Sequence, residues 1–106
     1  MNRIQNKIIM PKYKEYFKLM MDENRLLFDE FGEIHLKYMQ DTKKYQNEFN
    51  KKGQEILDVI RIYENRLCGT TEGGGYAKYS SKLADKFHEI IKINFPRIDS
   101  IGLQPA

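Results

Sequence analysis

The segment Arg66–Lys86 reads RLCGTTEGGGYAKYSSKLADK and decides how the chain is divided. It holds four of the seven glycines, and the sequence on both sides of it has helical periodicity. This pattern predicts that one helix ends at Cys68-Gly69, because glycine suits the left-handed position that follows a helix. A glycine-rich loop comes next, and a further helix begins near Ser80 or Ser81, since either serine can cap it.

Upstream of this segment, apolar residues recur at the spacing of two amphipathic helices. The first would run from Lys12 to Met39, with Gly32 as a position that could bend it. Asn24 and His35 lie inside its apolar stripe, and we interpret them as structural hydrogen-bonding residues at a helix interface, with a ligand or metal contact as the alternative. The stripe consists of Tyr13, Phe17, Met20, Leu27, Phe31, Ile34 and Tyr38.

The second helix follows the turn Gln40-Asp41-Thr42, in which Asp41 or Thr42 can cap it. Gly53 lies at the edge of its apolar face, where we expect another backbone to approach closely. The lysines on its other side alternate with glutamates, which is typical of a solvated surface; a nucleic-acid footprint is the alternative. The apolar face comprises Tyr45, Phe49, Ile56, Val59, Ile60, Tyr63 and Leu67.

The third helix is expected to stop by about Asn94 because Pro96 follows. Residues 1–10 are interpreted as a flexible lead-in. Residues 96–106 are interpreted as an extended tail, and the alternation over 97–103 allows a short strand there. The apolar stripe of the third helix is formed by Leu83, Ala84, Phe87, Ile90 and Ile91.

Three amphipathic helices that must bury one another predict an all-α fold, because each apolar stripe needs a neighbour. We expect one domain of residues 1–106, a three-helix bundle that consists of a long N-terminal helical hairpin and a third helix after the loop. The first helix is long enough for part of its stripe to reach beyond the other two. That surplus favours a homodimer or a partner helix.

Composition narrows the class of protein. Hydrophobic residues make up 41% and charged residues 31% of the chain, which is typical of a globular domain rather than a disordered one. No apolar run is long enough to span a membrane and no secretory signal is visible, so we expect a cytoplasmic protein with one unbridged cysteine. The net charge of +3 permits an acidic partner without requiring one.

The glycine-rich loop is the candidate site. Three consecutive glycines let backbone N–H groups form a concavity ahead of a helix N-terminus, where an anion is favoured. The segment is not a P-loop, because Gly75 stands where the lysine should be. A flexible connection, or a tight structural loop packed by Tyr76 and Tyr79, is the alternative to a site. The candidate anion-binding residues are Arg66, Gly73, Gly74, Gly75, Tyr76, Lys78, Ser80, Ser81 and Lys82.

The sequence favours a non-enzymatic protein. Cys68 and His88 are the thiol–imidazole pair that could serve as a nucleophile and base, but Cys68 lies at a predicted helix C-terminus, where the helix dipole disfavours a thiolate. No Glu-x-x-His pair is present to build a di-iron bundle. We therefore predict no catalytic residue, no metal and no cofactor.

The function predicted from these observations is a small intracellular interaction module. It would contact an anionic group or a protein partner through the glycine-rich loop. The alternative is a nucleic-acid-binding accessory protein of phage or plasmid type. In that case Tyr76 and Tyr79 would stack on bases while Lys78, Lys82 and Lys86 neutralise phosphates.

Overall fold

The computed structural model describes residues 11–69 and 77–103, except for the side chains of residues 77–81. Within these ranges the chain is all-helical, which confirms the predicted fold class. The predicted lead-in at 1–10, the loop residues 70–76 and the last three residues lie outside the described part. The helices are α1 (Lys12–Glu23), α2 (Arg25–Gln40), α3 (Thr42–Gly69) and α4 (Ala77–Asn94), followed by a short 3-10 helix (Ile98–Ser100).

The predicted first helix is divided in two at Asn24, so the described chain has four helices where the sequence predicted three. Asn24 has φ −124° and ψ 35°, outside the helical region, although its own amide N–H still donates to the Met20 carbonyl at 3.1 Å. The reason is the side chain of Asn24, whose Nδ2 also donates to the Met20 carbonyl and to the Tyr63 hydroxyl on α3. An asparagine amide that hydrogen-bonds to its own backbone competes with regular helix geometry. Gly32 does not bend the chain, because α2 continues through it.

The helices α2 and α3 form the predicted antiparallel hairpin. Hydrogen bonds between the two helices show that they run in opposite directions. Tyr38 near the end of α2 bonds Gln46 near the start of α3, and Asn24 just before α2 bonds Tyr63 near the end of α3. Asp41 caps α3 as predicted, since its Oδ1 accepts the Lys44 N–H at 3.2 Å. The hairpin supplies most of the core, and its largest fully buried side chains are Phe31, Phe49, Ile56 and Leu67.

The described helices are arranged in two layers. α1 and α2 lie side by side with α3 in one layer, since α2 packs on α3 over its first half and α1 packs on α3 over its second half. α4 packs on both α1 and α3, and the C-terminal segment that follows it, residues 95–103, crosses back over the hairpin. The Cα atoms extend 53 × 37 × 19 Å, so the molecule is flat.

The C-terminal segment is not the extended tail or strand that alternation suggested. α4 ends at Asn94 as predicted, and residues 95–103 then form successive three-residue turns in which Ile98, Ser100 and Ile101 donate to the carbonyls three residues earlier. Phe95, Ile98 and Ile101 are spaced by three, which is the period of a 3-10 helix and places all three side chains against the hairpin.

The boundaries of the glycine-rich connection also differ from the prediction. Gly69 is the last described residue of α3 and does not have a positive φ; within the described ranges that conformation belongs to Gly102, at φ 96°. α4 begins at Ala77 rather than at Ser80 or Ser81. Alanine has the highest helix propensity, so the helix extends upstream of the serines.

Gly53 is a close-approach position, but a side chain and not a backbone approaches it. A Cβ atom at Gly53 would lie 2.7 Å from both Cγ atoms of Ile101 in the C-terminal segment. By contrast, a Cβ atom at Gly32 would meet no heavy atom within 4 Å. The two glycines both lie in helix interiors, but only Gly53 has a neighbouring side chain in the space that a Cβ atom would occupy.

We therefore expect opposite effects from the same substitution at these two positions. Gly32→Ala should raise the free energy of unfolding by up to about 1 kcal/mol, because it gains helix propensity without a clash. Gly53→Ala should lower it by about 1–2 kcal/mol, because displacing the Ile101 side chain outweighs that gain. Urea denaturation followed by circular dichroism measures both. Equal stabilisation by both substitutions would show that Ile101 does not pack on Gly53.

Candidate functional site

The candidate residues from the sequence fall into three groups. Gly73, Gly74, Gly75 and Tyr76 lie outside the described residues. Lys78, Ser80 and Ser81 lie in the first two turns of α4, and their side chains are outside the description. Arg66 on α3 and Lys82 on α4 are the two whose side chains are described, and both are exposed.

Arg66 contacts residues at the junction of α1 and α2. Its guanidinium lies 4.8 Å from the centre of the Tyr63 ring, and its Nη1 lies 3.8 Å from the Glu23 carboxylate. The Tyr63 hydroxyl in turn donates to Glu23 and accepts from Asn24. Burial and the hydrogen bond to Glu23 raise the pKa of Tyr63. This cluster fixes the junction of α1 and α2 against α3, which is a structural role for Arg66 and confirms the structural interpretation of Asn24.

Cys68 and His88 do not have the environment of a catalytic pair. Burial and the nearby Glu64 carboxylate raise the pKa of the Cys68 thiol, which keeps it protonated and weakens it as a nucleophile. The Glu64 carboxylate lies 3.2 Å from Nε2 of His88 and holds that ring on the outside of the α3–α4 contact. Among the described residues, no three histidine, cysteine or acidic side chains are placed to hold a metal ion.

His35 is a buried titratable side chain that joins α2 to the C-terminal segment. Its Nε2 accepts the Arg97 N–H at 3.1 Å, so the proton of the neutral ring is on Nδ1. Phe31 of α2, Phe49 of α3 and Phe95 of the C-terminal segment surround the ring. Burial, and secondarily the positive charge of Arg97, lower the pKa of His35. The predicted structural role of His35 is confirmed.

A polar network beside His35 anchors the rest of the C-terminal segment. Nε2 of the buried Gln46 donates to the Ser100 carbonyl, and its Oε1 accepts from the Tyr38 hydroxyl. The Asn50 side chain donates to the Leu103 carbonyl and accepts from the Gly102 N–H at 2.7 Å. These bonds all lie on one flank of α3, together with Gly53, so the C-terminal segment covers one side of the hairpin.

The other flank of the hairpin is different. Tyr45, Lys52 and Val59 recur every seven residues and so share a flank of α3, about 100° or more from Gln46 and Asn50. Lys52 lies 3.0 Å from the Glu30 carboxylate of α2, which marks this flank as the second seam between the two helices. None of the described hydrogen bonds of α4 or of residues 95–103 reaches it. We call this flank the open seam.

Apolar side chains line the open seam on both helices. Leu27 and Ile34 of α2 and Tyr45 and Val59 of α3 are half-buried against the core. Beside them, Leu26 of α2 lies one turn before Glu30 and is 73% exposed. Exposed apolar side chains are common singly, but a row along one seam is typical of a binding surface.

Two lysines, one on each helix, flank Tyr45 near the turn between α2 and α3. The ammonium groups of Lys37 and Lys44 lie 6.0 and 5.3 Å from the centre of the Tyr45 ring, one on each helix. Neither ammonium has a carboxylate within 4.0 Å among the described residues. The opposite end of the seam carries Arg66, whose charge Glu23 partly neutralises.

Comparison of the chain with protein-family models, curated proteins and solved structures gives no significant match. No helix in the described part of the chain is long and apolar enough to cross a membrane.

Sequence reasoning identified the seam residues only as members of apolar stripes. The stripe predicted for the first helix already contained Leu27 and Ile34, and the stripe predicted for the second contained Tyr45 and Val59. The sequence also indicated an apolar surplus. It could not show that α4 and residues 95–103 cover the opposite flank, because that depends on the path of the chain after Pro96.

The environment of His35 predicts that stability depends on pH. The lowered pKa keeps His35 neutral in the folded protein, while in the unfolded chain it takes up a proton near its ordinary value of about 6.5. The stabilisation is therefore complete above about pH 6.5 and is lost as pH falls toward the pKa of the folded state. One proton limits the slope to about 1.4 kcal/mol per pH unit.

The measurement is thermal unfolding at pH 7.5 and pH 5.5, compared with His35→Gln. Glutamine keeps an acceptor for the Arg97 N–H but does not titrate, so the variant should lose less stability between the two pH values than the unaltered protein. An equal loss in both proteins would assign the pH dependence to other groups.

Proposed function

We propose that this chain is a non-enzymatic interaction module that binds a protein partner in the open seam of the α2–α3 hairpin. The observation that carries the proposal is the row of half-buried and exposed apolar side chains on that flank, with no described segment of the chain over it. A partner that covered the row would remove apolar surface from water, which is the main driving force of association. This proposal keeps the interaction function predicted from the sequence but assigns it to the open seam instead of the glycine-rich loop.

The shape of the hairpin supports this proposal. Two packed helices form a groove between their side-chain rows, and a partner element can lie in that groove and contact both helices. On its covered flank the hairpin already binds such an element, since Phe95 and Ile98 of the C-terminal segment are buried against it. The open seam offers a similar groove without an occupant from the described chain.

Leu26 is the residue best suited to test the proposal, because it is exposed beside the seam and can be changed without opening the core. Ile93 on the outer side of α4 is the matched control, since it is 78% exposed and lies away from the seam. A photoreactive amino acid at position 26 should form an adduct with a partner in extract of the source organism, and the same group at position 93 should not.

The captured partner is then purified and its affinity measured against variants. We expect Leu26→Asp to weaken binding at least tenfold, because a carboxylate would be buried without a partner. Ile93→Asp should change the affinity less than twofold. Adducts formed equally from positions 26 and 93, or an affinity that Leu26→Asp leaves unchanged, would contradict the proposal.

A second candidate function is anion or nucleic-acid binding at the glycine-rich loop. It is favoured by the start of α4 at Ala77, directly after the glycines, so that Lys78 and Lys82 fall in its first two turns. Free N–H groups at a helix N-terminus and neighbouring ammonium groups favour a phosphate. The site would comprise the loop glycines and these two lysines, without Arg66, whose guanidinium is held by Glu23 and Tyr63.

This second candidate predicts salt-dependent binding of a random single-stranded oligonucleotide. Affinity should fall steeply as salt rises from 50 to 200 mM, because binding releases counterions from the phosphates. Lys78→Ala with Lys82→Ala should weaken binding, whereas Lys43→Ala with Lys51→Ala on α3 should not. Undetectable binding of both the oligonucleotide and inorganic phosphate at low salt would eliminate this candidate.

A further inference from the structure

The C-terminal segment has a point at which its continuity with α4 ends. The Phe95 N–H still donates to the Ile91 carbonyl at 2.8 Å, so Phe95 continues the helical bonding of α4. Pro96 has no N–H to donate. Beyond it the backbone forms the three-residue turns described above. We call residues 97–103 the strap, which is joined to the helices through Pro96.

Three side chains of the hairpin hold the strap, and each described hydrogen bond between hairpin and strap goes to a backbone group of the strap. His35 and Asn50 accept the N–H groups of residues 97 and 102, and Gln46 and Asn50 donate to the carbonyls of residues 100 and 103. The largest fully buried side chains all lie on α1, α2, α3 or α4, and the strap contributes Ile98 at the edge of the core. The strap can therefore open while the centre of the core stays packed.

His35 is the member of these three that titrates. In the neutral ring, Nε2 accepts the Arg97 N–H at 3.1 Å. A second proton makes both ring nitrogens donors, so that an Nε2–H would point at the Arg97 N–H. Protonation thus replaces this hydrogen bond with a contact between two donors. Gln46 and Asn50 carry amides, which do not titrate.

The groups around His35 do not compensate a positive charge on its ring. From α3 the ring is contacted by Phe49, and from the C-terminal segment by Phe95. Arg97 is the charged group that acts on the ring, and its charge is also positive. The positions one helical turn away along α2 carry no ionic charge, and the phenol among them donates to Gln46; they are Phe31, Gly32, Tyr38 and Met39.

The nearby carboxylates have other partners. Asp99, the one acidic residue of the strap, lies 2.8 Å from Nζ of Lys92 on α4. Glu30 of α2 is paired with Lys52 on the opposite flank of the hairpin. In the described ranges no carboxylate lies within 4.0 Å of either ring nitrogen of His35. A protonated His35 would therefore face Arg97 without a counter-charge.

We propose that the strap is a pH-sensitive cover of the flank of α3 that carries Gln46, Asn50 and Gly53. Protonation of His35 breaks its bond to the Arg97 N–H, and residues 97–103 then swing out about Pro96 while α1–α4 stay folded. The strap lies on the flank opposite the open seam, so its release does not depend on a partner bound there.

The direction of the pH effect follows from the two environments of His35. In the closed form burial lowers its pKa, whereas with the strap open the ring meets water and titrates near its ordinary value of about 6.5. Opening therefore becomes more frequent as pH falls below about 6.5. One proton is taken up, which limits the increase to about tenfold per pH unit.

Hydrogen–deuterium exchange of the full-length protein at pH 7.5 and pH 5.5, read by mass spectrometry and corrected for intrinsic rates, tests the proposal. At pH 7.5 the strap amides should be protected at least tenfold less than those of residues 49–60 in α3. Low concentrations of urea should leave strap exchange unchanged, because a local opening exposes little surface. Between the two pH values strap protection should fall by up to about tenfold.

Three variants assign the opening to its cause. In His35→Gln the strap should respond to the pH change less than twofold, because glutamine accepts the Arg97 N–H without titrating. Asn50→Ala removes two bonds to the strap, so it should raise strap exchange at least fivefold at both pH values and leave exchange in α3 unchanged. Asn47→Ala is the matched control, since Asn47 is exposed on the same helix and should change strap exchange less than twofold.

Two results would overturn the proposal. If strap and α3 amides show the same protection and the same dependence on urea, or if Asn50→Ala accelerates both together, the strap leaves only when the whole protein unfolds. If strap protection changes less than twofold between the two pH values, or changes equally in His35→Gln, His35 does not control the strap.

Discussion

The antiparallel pair of α2 and α3 has two seams, and the described part of the chain covers one of them. On the covered flank Phe95, Ile98 and Ile101 pack against the hairpin, and the hydrogen bond from the Arg97 N–H to His35 fixes their register. The remaining anchors, Gln46 and Asn50, hold backbone groups of the same segment. On the opposite flank the apolar side chains of Leu27, Ile34, Tyr45 and Val59 stay half-buried, with no described hydrogen bond from α4 or residues 95–103 reaching them.

The polar residues inside the core serve this arrangement. Asn24 divides the first helical stretch and lets α1 pack on α4 while α2 follows α3. The acceptor nitrogen of His35 binds the Arg97 N–H, which follows the end of α4 and is not bonded within a regular helix. This hydrogen bond is what allows the ring to be buried. Both side chains fix how neighbouring elements pack in an apolar interface. Each is a buried or half-buried polar group, so the fold is destabilised if its hydrogen bond is lost. The pH dependence associated with His35 follows from this need for a hydrogen bond.

The open seam and the glycine-rich loop lie in different parts of the chain and have different chemistry. The seam is apolar, with Lys37 and Lys44 near the hairpin turn, and is the surface proposed for a protein partner. The glycine-rich stretch precedes the start of α4 and is the alternative site, proposed for an anion or a phosphate backbone. Arg66, which was predicted for the loop, contacts Glu23 and Tyr63 at the helix junction. Its predicted contact with residues 70–76 stays a prediction, because they lie outside the described part of the chain.

The sequence by itself determined the helical class, the antiparallel hairpin, the cap at Asp41 and the end of α4 at Asn94. These features depend on periodicity, capping and the steric effect of proline, which act between residues close together in the chain. Tertiary structure decided the break at Asn24, the 3-10 turns after α4 and the packing of Ile101 on Gly53. Each of these depends on a partner far away in sequence, such as Tyr63 for Asn24 or Gly53 for Ile101, and periodicity contains no information about such pairs. The open seam belongs to the second group, because its exposure is set by where the last nine described residues lie.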